Sequence, residues 1–143
     1  MLKYPFKIVK MHDDDFSYYV IKCLNYQGGY SQADSIEEAL ENATEVIDLL
    51  LEDALENDKV EQPKQAKGDD IYMVAPSLEY AIPAMLKQAR QKKGMSAPQV
   101  AKALNVPYQN YWRIEKGERK NLTIGTLKRA AAVLGLSIDI NFI

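Results

Sequence analysis

The stretch Met95–Gly117, MSAPQVAKALNVPYQNYWRIEKG, constrains the fold of this chain more than any other part of it. It reads as a helix, a sharp turn and a second helix. Ser96 and Gln99 have the Ser-x-x-Gln spacing of a capping box, which satisfies two orphan amides at a helix start. Val100, Ala101 and Leu104 recur at helical spacing, and Ala101 is small enough to let a second helix cross closely. Asn105 stands where the chain must turn, and asparagine tolerates the left-handed conformation that usually recruits glycine. Val106 fills the angle between the helices, and Pro107 suits the first turn of the next one. In that second helix Tyr111 and Ile114 face inward, while Tyr108, Gln109, Trp112 and Arg113 face outward.

The 143 residues make one domain or two small ones. The formal net charge of −2 hides a division. Residues 1–70 hold 7 lysines against 16 Asp and Glu, a net −9; residues 71–143 hold 11 Lys and Arg against 4 Asp and Glu, a net +7. An acidic half beside a basic half points to two kinds of partner. Cys23 is the single cysteine, so no internal disulfide forms, in keeping with a reducing compartment. The start, MLKYPFKIVK, lacks the apolar core of a signal peptide, and no apolar run approaches the roughly 20 residues of a membrane span. The expectation is a cytoplasmic protein with no membrane partner.

Along the chain, residues 4–11 alternate as a strand, with Tyr4, Phe6 and Ile8 on one face and Lys7, Val9 and Met11 on the other. His12-Asp13-Asp14-Asp15 reads as a polar turn. Residues 16–22 make a second strand rich in aromatic and β-branched residues, and residues 30–33 a short third. Ser35 and Glu38 form a second capping box. The helix it opens carries an apolar stripe of Ile36, Leu40, Ala43, Ile47, Leu50 and Leu55, flanked by Val46 and Ala54. Residues 57–70 are a loop, and residues 71–74 a fourth strand. Ser77 is placed to cap a helix to Lys93, which must either begin near Ile82 or kink at Pro83, the kink being favoured. After the two motif helices, a further helix opens at Asn121-Leu122-Thr123 and runs through Leu134, with Ile124, Leu127, Ala130, Ala131 and Leu134 inward. In the tail, Leu136, Ile138, Ile140 and Phe142 alternate with polar residues as in a strand. The fold class is α+β: a small β-β-β-α-β domain, 1–76, then an all-α helix-turn-helix domain, 77–143, with a C-terminal strand.

The span 86–138 resembles the helix-turn-helix family of phage repressors and xenobiotic-response-element-type regulators, through Leu86, Arg90, Gly94, Ser96, Val100, Ala101, Leu104, Val106, Ile114, Glu115, Gly117, Leu127, Ala131, Leu134 and Gly135. The resemblance implies that Tyr108, Gln109 and Arg113 read base edges in the major groove of double-stranded operator DNA. Gln can bond adenine and Arg guanine bidentately. It also implies phosphate contacts from Arg119, Lys120 and Asn121, with Arg90, Lys102 and Lys116 as weaker candidates; such contacts set register without reading sequence. Four residues depart from the family pattern: Ala97, Pro107, Tyr111 and Trp112, the last with no standard role. Members dimerise to meet half-sites about 34 Å apart. An exposed terminal strand invites pairing with a second copy, so Leu136, Ile138, Ile140 and Phe142 are expected across a two-fold axis, giving a homodimer or higher oligomer.

The N-terminal half resembles the HicB antitoxin family, through Tyr4-Pro5, Tyr18, Tyr30, Gln32, Asp34, Ser35, Glu38-Ala39, Asn42-Ala43, Leu50, Pro63 and the segment IYMVAPSL. It departs at LNYQGGYS, which lacks the family's proline-rich turn. The resemblance implies a reduced ribonuclease H-like fold without activity, and neutralisation of a HicA-type toxin, a small basic ribonuclease that cleaves messenger RNA. A net −9 suits such a partner independently. Charge alone directs attention to Glu41, Glu45, Asp48 and Glu52 on the outward helix face, and to the sheet edge around Tyr26 and Tyr30.

Two other classes of function have candidate residues in this chain. An enzyme would need His12, Asp13, Asp14, Asp15, Glu45 and Asp48 to gather a metal, but consecutive aspartates in a turn point in different directions and His12 has no partner at zinc-ligand spacing. No catalytic residue, metal or cofactor is expected. Alternatively, a one-component regulator would sense a small ligand, with Tyr18, Tyr19, Tyr26 and Tyr30 lining a pocket.

Overall fold

The computed structural model describes residues 2–119 and 121–143, so Lys120, an expected phosphate contact, lies outside the described residues. The chain divides into two compact units, Met1–Ala81 and Ile82–Ile143. The architecture is α+β, a four-stranded sheet with one long helix followed by a helical region.

In the first unit, β1 (Tyr4–Asp13), β2 (Phe16–Cys23), β3 (Tyr30–Ala33) and β4 (Ile71–Val74) form an antiparallel sheet in the order β3-β2-β1-β4. The first two strands run further than their patterning predicts. Asp13 pairs with Phe16, so only Asp14 and Asp15 make the turn, and His12 and Asp13 belong to β1. Asp14 takes φ 48, a left-handed conformation open to aspartate. Register puts Phe6 beside Cys23 and Ile8 beside Ile21, and side chains alternate between faces. One face therefore carries buried Tyr4, Phe6, Ile8, Ile21 and Cys23. The other shows Lys7 directly opposite Lys22, both exposed.

Helix α1 (Ile36–Glu56) covers the apolar face. Ser35 caps it, accepting from the Glu38 amide at 3.1 Å. The Glu38 carboxylate turns back to the Asp34 amide instead of that of Ser35, so the predicted capping box closes one residue earlier. The buried stripe is Ala39, Ala43, Ile47, Leu51, Ala54 and Leu55. Leu40, assigned to the core from its spacing, is 38% exposed, and Leu51 takes an inward place. The helix touches the sheet along an i, i+4 row, and Leu40 stands one residue around from it. Gly29 permits close approach: a Cβ there would stand 2.7 Å from the Cys23 Cβ and 2.8 Å from the Leu50 Cδ1.

The loop after α1 is held down at its middle. The Tyr4 hydroxyl donates to the Glu61 carbonyl at 2.9 Å, and the Glu61 amide donates to the Tyr26 hydroxyl at 2.9 Å. Buried Asn25 donates to the Gln62 carbonyl and accepts from the Lys64 amide, both at 2.9 Å. Helix α2 (Leu78–Lys92) follows, with Pro83 inside it. Proline can donate no amide to the preceding turn, and the division between the units falls beside it.

The second unit adds α3 (Ala97–Leu104), α4 (Tyr108–Glu115) and α5 (Ile124–Val133) to the end of α2. Leu86, Val100, Ala101, Tyr111, Ile114, Ala130 and Leu134 form its core. Ile124, expected inward, is 63% exposed; it begins α5, where Leu122 and Leu127 pack against the core in its place. The predicted C-terminal strand is absent: residues 136–143 carry no strand. A strand exists only with a partner ladder, and the described residues of one chain provide none. Leu136, Ile138 and Ile140 are 49%, 40% and 53% exposed, and Phe142 97%.

Candidate nucleic-acid interface and acidic surface

The helical unit builds its outer surface from local rules. Ser96 caps α3 by accepting from the Gln99 amide, and the Gln99 side chain accepts from the Ser96 amide at 2.8 Å, completing the capping box. Asn105 ends α3 at φ 56, ψ 44. Pro107 sits at the N-cap of α4 instead of its first turn, with no side-chain cap. Tyr108, Gln109, Trp112 and Arg113 are exposed together on α4, opposite buried Tyr111 and Ile114. Gly117 at φ 73 ends the helix, with the Glu118 amide donating to the Arg113 carbonyl at 3.0 Å, as in a left-handed helix stop.

Behind this surface lies an ion pair formed by a residue that the resemblance offers to phosphate. Arg90 was a candidate for phosphate; the structure turns it inward. Its Nε donates to the Glu115 Oε2 at 2.7 Å and its Nη2 to the Glu115 Oε1 at 2.9 Å, while Nη1 donates to the Met95 carbonyl at 2.8 Å. The fork matches the planar carboxylate, and the two side chains are only 14% and 7% exposed. Hydrogen bonding to Glu115 raises the Arg90 pKa further. The pair ties the last turn of α2 to the end of α4. Next to it, the Tyr111 hydroxyl is buried with no hydrogen-bond partner among the described residues. Burial first, and the neighbouring Glu115 carboxylate next, push its pKa well above the usual tyrosine range.

The cations around α4 fall into distinct settings. Lys116 lies over the Trp112 ring, 5.6 Å from its centroid. Lys87 has its pKa lowered, by burial first and by Lys116 next. Arg119 and Asn121 are exposed in the connection to α5, and Lys102 is exposed on α3.

In the sheet unit, Glu41, Glu45 and Glu52 are exposed on α1. Asp48 is not free among them: its carboxylate accepts from both the amide and the hydroxyl of Ser77, holding the start of α2. Ser77, expected to cap that helix by its side chain, is thus itself held. Tyr26 belongs to the loop fastening described above and meets Tyr4 with ring centroids 5.7 Å apart and the rings tilted by 53°. Tyr30 is 62% exposed, with the Lys22 ammonium 5.8 Å from its ring. The four tyrosines weighed as pocket lining do not converge: Tyr18 and Tyr19 are neighbours on β2 and point to opposite faces, and Tyr26 is tied to the loop. Among the described residues no group of three His, Cys, Asp or Glu could hold a metal ion, and no helix is long and apolar enough to cross a membrane.

Sequence spacing missed the Arg90–Glu115 pair, the Asn25 fastening and the Asp48–Ser77 contact. A signal existed only for the first, since Arg90 and Glu115 are both part of the repressor-type pattern.

Comparison with known proteins gives two family matches. A family described as the HicB-like antitoxin of bacterial toxin-antitoxin systems matches residues 4–98, and a helix-turn-helix family matches residues 86–141. The crystal structure of the Burkholderia pseudomallei antitoxin HicB shows a slight likeness, at 19% identity and a TM-score of 0.43, covering 73% of this chain and 98% of that one. No curated protein matches the chain. On the extent of the first match, which takes in the sheet, α1 and the start of α3, this chain belongs to the HicB-like antitoxin family, with a helix-turn-helix domain after its sheet unit.

Proposed function

We propose that the chain neutralises a HicA-type ribonuclease toxin with its sheet unit and represses its own operon by binding operator DNA as a dimer through its helical unit. The observation that carries this reading is the separation of charge. The net −9 of residues 1–70 includes the exposed carboxylates of α1, and residues 71–143, with a net +7, include an exposed helix bearing Gln109 and Arg113. An acidic surface attracts a cationic RNA-binding protein and covers the groove meant for phosphates. A basic surface attracts a duplex.

On this reading Tyr108, Gln109 and Arg113 meet base edges, and Arg119, Lys120, Asn121 and Lys116 meet phosphates. Glu41, Glu45, Glu52 and Tyr30 are the toxin contacts supported by their exposure. Tyr26 and Asp48 act by holding those elements in place. Leu136, Ile138, Ile140 and Phe142 supply the strand that forms only against a second copy. The chain has no catalytic task of its own, and it works in the cytoplasm, where both partners are.

The test is the double substitution Gln109→Ala with Arg113→Ala. Binding to the chain's own promoter fragment is lost, while cells expressing the adjacent toxin gene are still rescued. Loss of rescue together with DNA binding would break the two-module division.

A further inference from the structure

The exposed face of α4 is two parallel ridges of different character. Gln109 and Arg113, one turn apart, make a polar ridge. Tyr108 and Trp112, also one turn apart, make an aromatic ridge beside it; at about 100° per residue Trp112 falls between Tyr108 and Gln109 around the axis. Tyr108 is 45% and Trp112 37% exposed. The ammonium of Lys116 lies over the Trp112 ring, 5.6 Å from its centroid, so one side of the indole is already occupied by a cation able to meet phosphate. What remains open is a neutral, largely apolar aromatic surface beside the Gln109–Arg113 ridge. The polar ridge needs donors and acceptors on base edges. The aromatic ridge beside it needs an apolar group, and the major groove offers one kind, the C5-methyl of thymine.

We propose that Trp112 is a specificity-determining residue that reads a thymine methyl next to the bases met by Gln109 and Arg113, with Lys116 holding the indole in position. This rests on the DNA-binding reading of the helical unit. The indole carries no charge, so it contributes to sequence preference and nothing to counterion release. The same ridge explains why a large aromatic is tolerated outward: its surface is covered when the duplex is bound and costs the core nothing when it is not.

The experiment uses the full-length chain and duplexes selected from a randomised pool. In the selected duplex each thymine is replaced in turn by deoxyuridine, which removes only the methyl. One replacement weakens the unsubstituted protein by about fourfold, the effect of burying one methyl-sized group. Trp112→Ala binds the thymine and deoxyuridine duplexes equally, with the same dependence of affinity on salt as the parent, and Trp112→Phe retains part of the discrimination. Trp112 is the sole tryptophan, so its emission shifts when the selected duplex binds. If every deoxyuridine duplex binds the parent as the thymine duplex does, or the methyl effect survives in Trp112→Ala, or saturating duplex leaves the emission unchanged, the inference is overturned while the DNA-binding reading stands. If no sequence is enriched from the pool, the DNA-binding reading fails and this inference with it.

Discussion

Arg90 holds Glu115 by two parallel hydrogen bonds, of 2.7 and 2.9 Å, across 25 residues of sequence. The contact fastens α2 to the C-terminal end of the exposed helix α4, and a third bond to the Met95 carbonyl adds the connection into α3. Three elements are thus indexed to one guanidinium. Lysine has no planar fork and could not reproduce the arrangement.

Arg90→Ala should therefore destabilise the helical unit by about 3 kcal/mol or more, because it leaves the Glu115 carboxylate buried and unpaired. Denaturation followed by Trp112 emission reads this unit directly. A loss below about 1 kcal/mol would mean that the pair is solvated and does not position α4.

Tyr111→Phe should have the opposite character. The hydroxyl it removes is buried with no partner among the described residues, so the variant is expected to be as stable as the parent at pH 7 or more so by about 1 kcal/mol. The pH dependence has a definite sign. The unfolded phenol ionises near its ordinary 10.0, whereas the native one, its pKa raised, keeps its proton. Stability is fully present below pH 10 and falls as pH rises above it, by about 1.4 kcal/mol per pH unit for each such tyrosine. The phenylalanine variant should lose this alkaline slope in the Trp112 signal. An unchanged slope would place the titration elsewhere.

Gly29→Ala should destabilise the sheet unit by about 1–3 kcal/mol. The added Cβ would press on the Cys23 Cβ and the Leu50 Cδ1 at 2.7 and 2.8 Å, and overpacking of this kind forces backbone or helix to shift. Urea unfolding monitored by circular dichroism measures it. A neutral effect would show that α1 moves off the sheet at little cost.

Ile138→Asp with Ile140→Asp should leave each helical unit folded, since both residues are exposed in the single chain. On the dimer reading it converts a two-copy species to a monomer in sedimentation at micromolar concentration, and weakens promoter binding by an order of magnitude or more. An unaltered sedimentation coefficient would remove the tail from the interface.

Much of the architecture was legible because its determinants are local. The Ser96–Gln99 box, Asn105 in the left-handed turn, the period-two strands around Phe6 and Ile21, and the Thr123 start of α5 are each written within a few consecutive residues. The outward set on α4 followed from helical period alone, once Tyr111 and Ile114 were assigned inward. For the side chains whose partners were misjudged, the decisive contact lies far off in sequence. Asp48 reads as one more surface carboxylate until Ser77 is brought to it 29 residues later. Tyr26 reads as a sheet-edge aromatic until Glu61 arrives 35 residues on.

The sequence by itself determined the element order from β1 to α5, the capping box and turn of the helix pair and the opposition of charge between the two halves. These depend on backbone conformation and composition, which neighbouring residues set. Tertiary structure alone decided that Arg90 serves Glu115 and not solvent, that Leu51 and not Leu40 meets the sheet, and that the alternating tail finds no ladder among the described residues. Each of those outcomes depends on which distant surface is present to bury an apolar group or pair a polar one, and no local pattern contains that information.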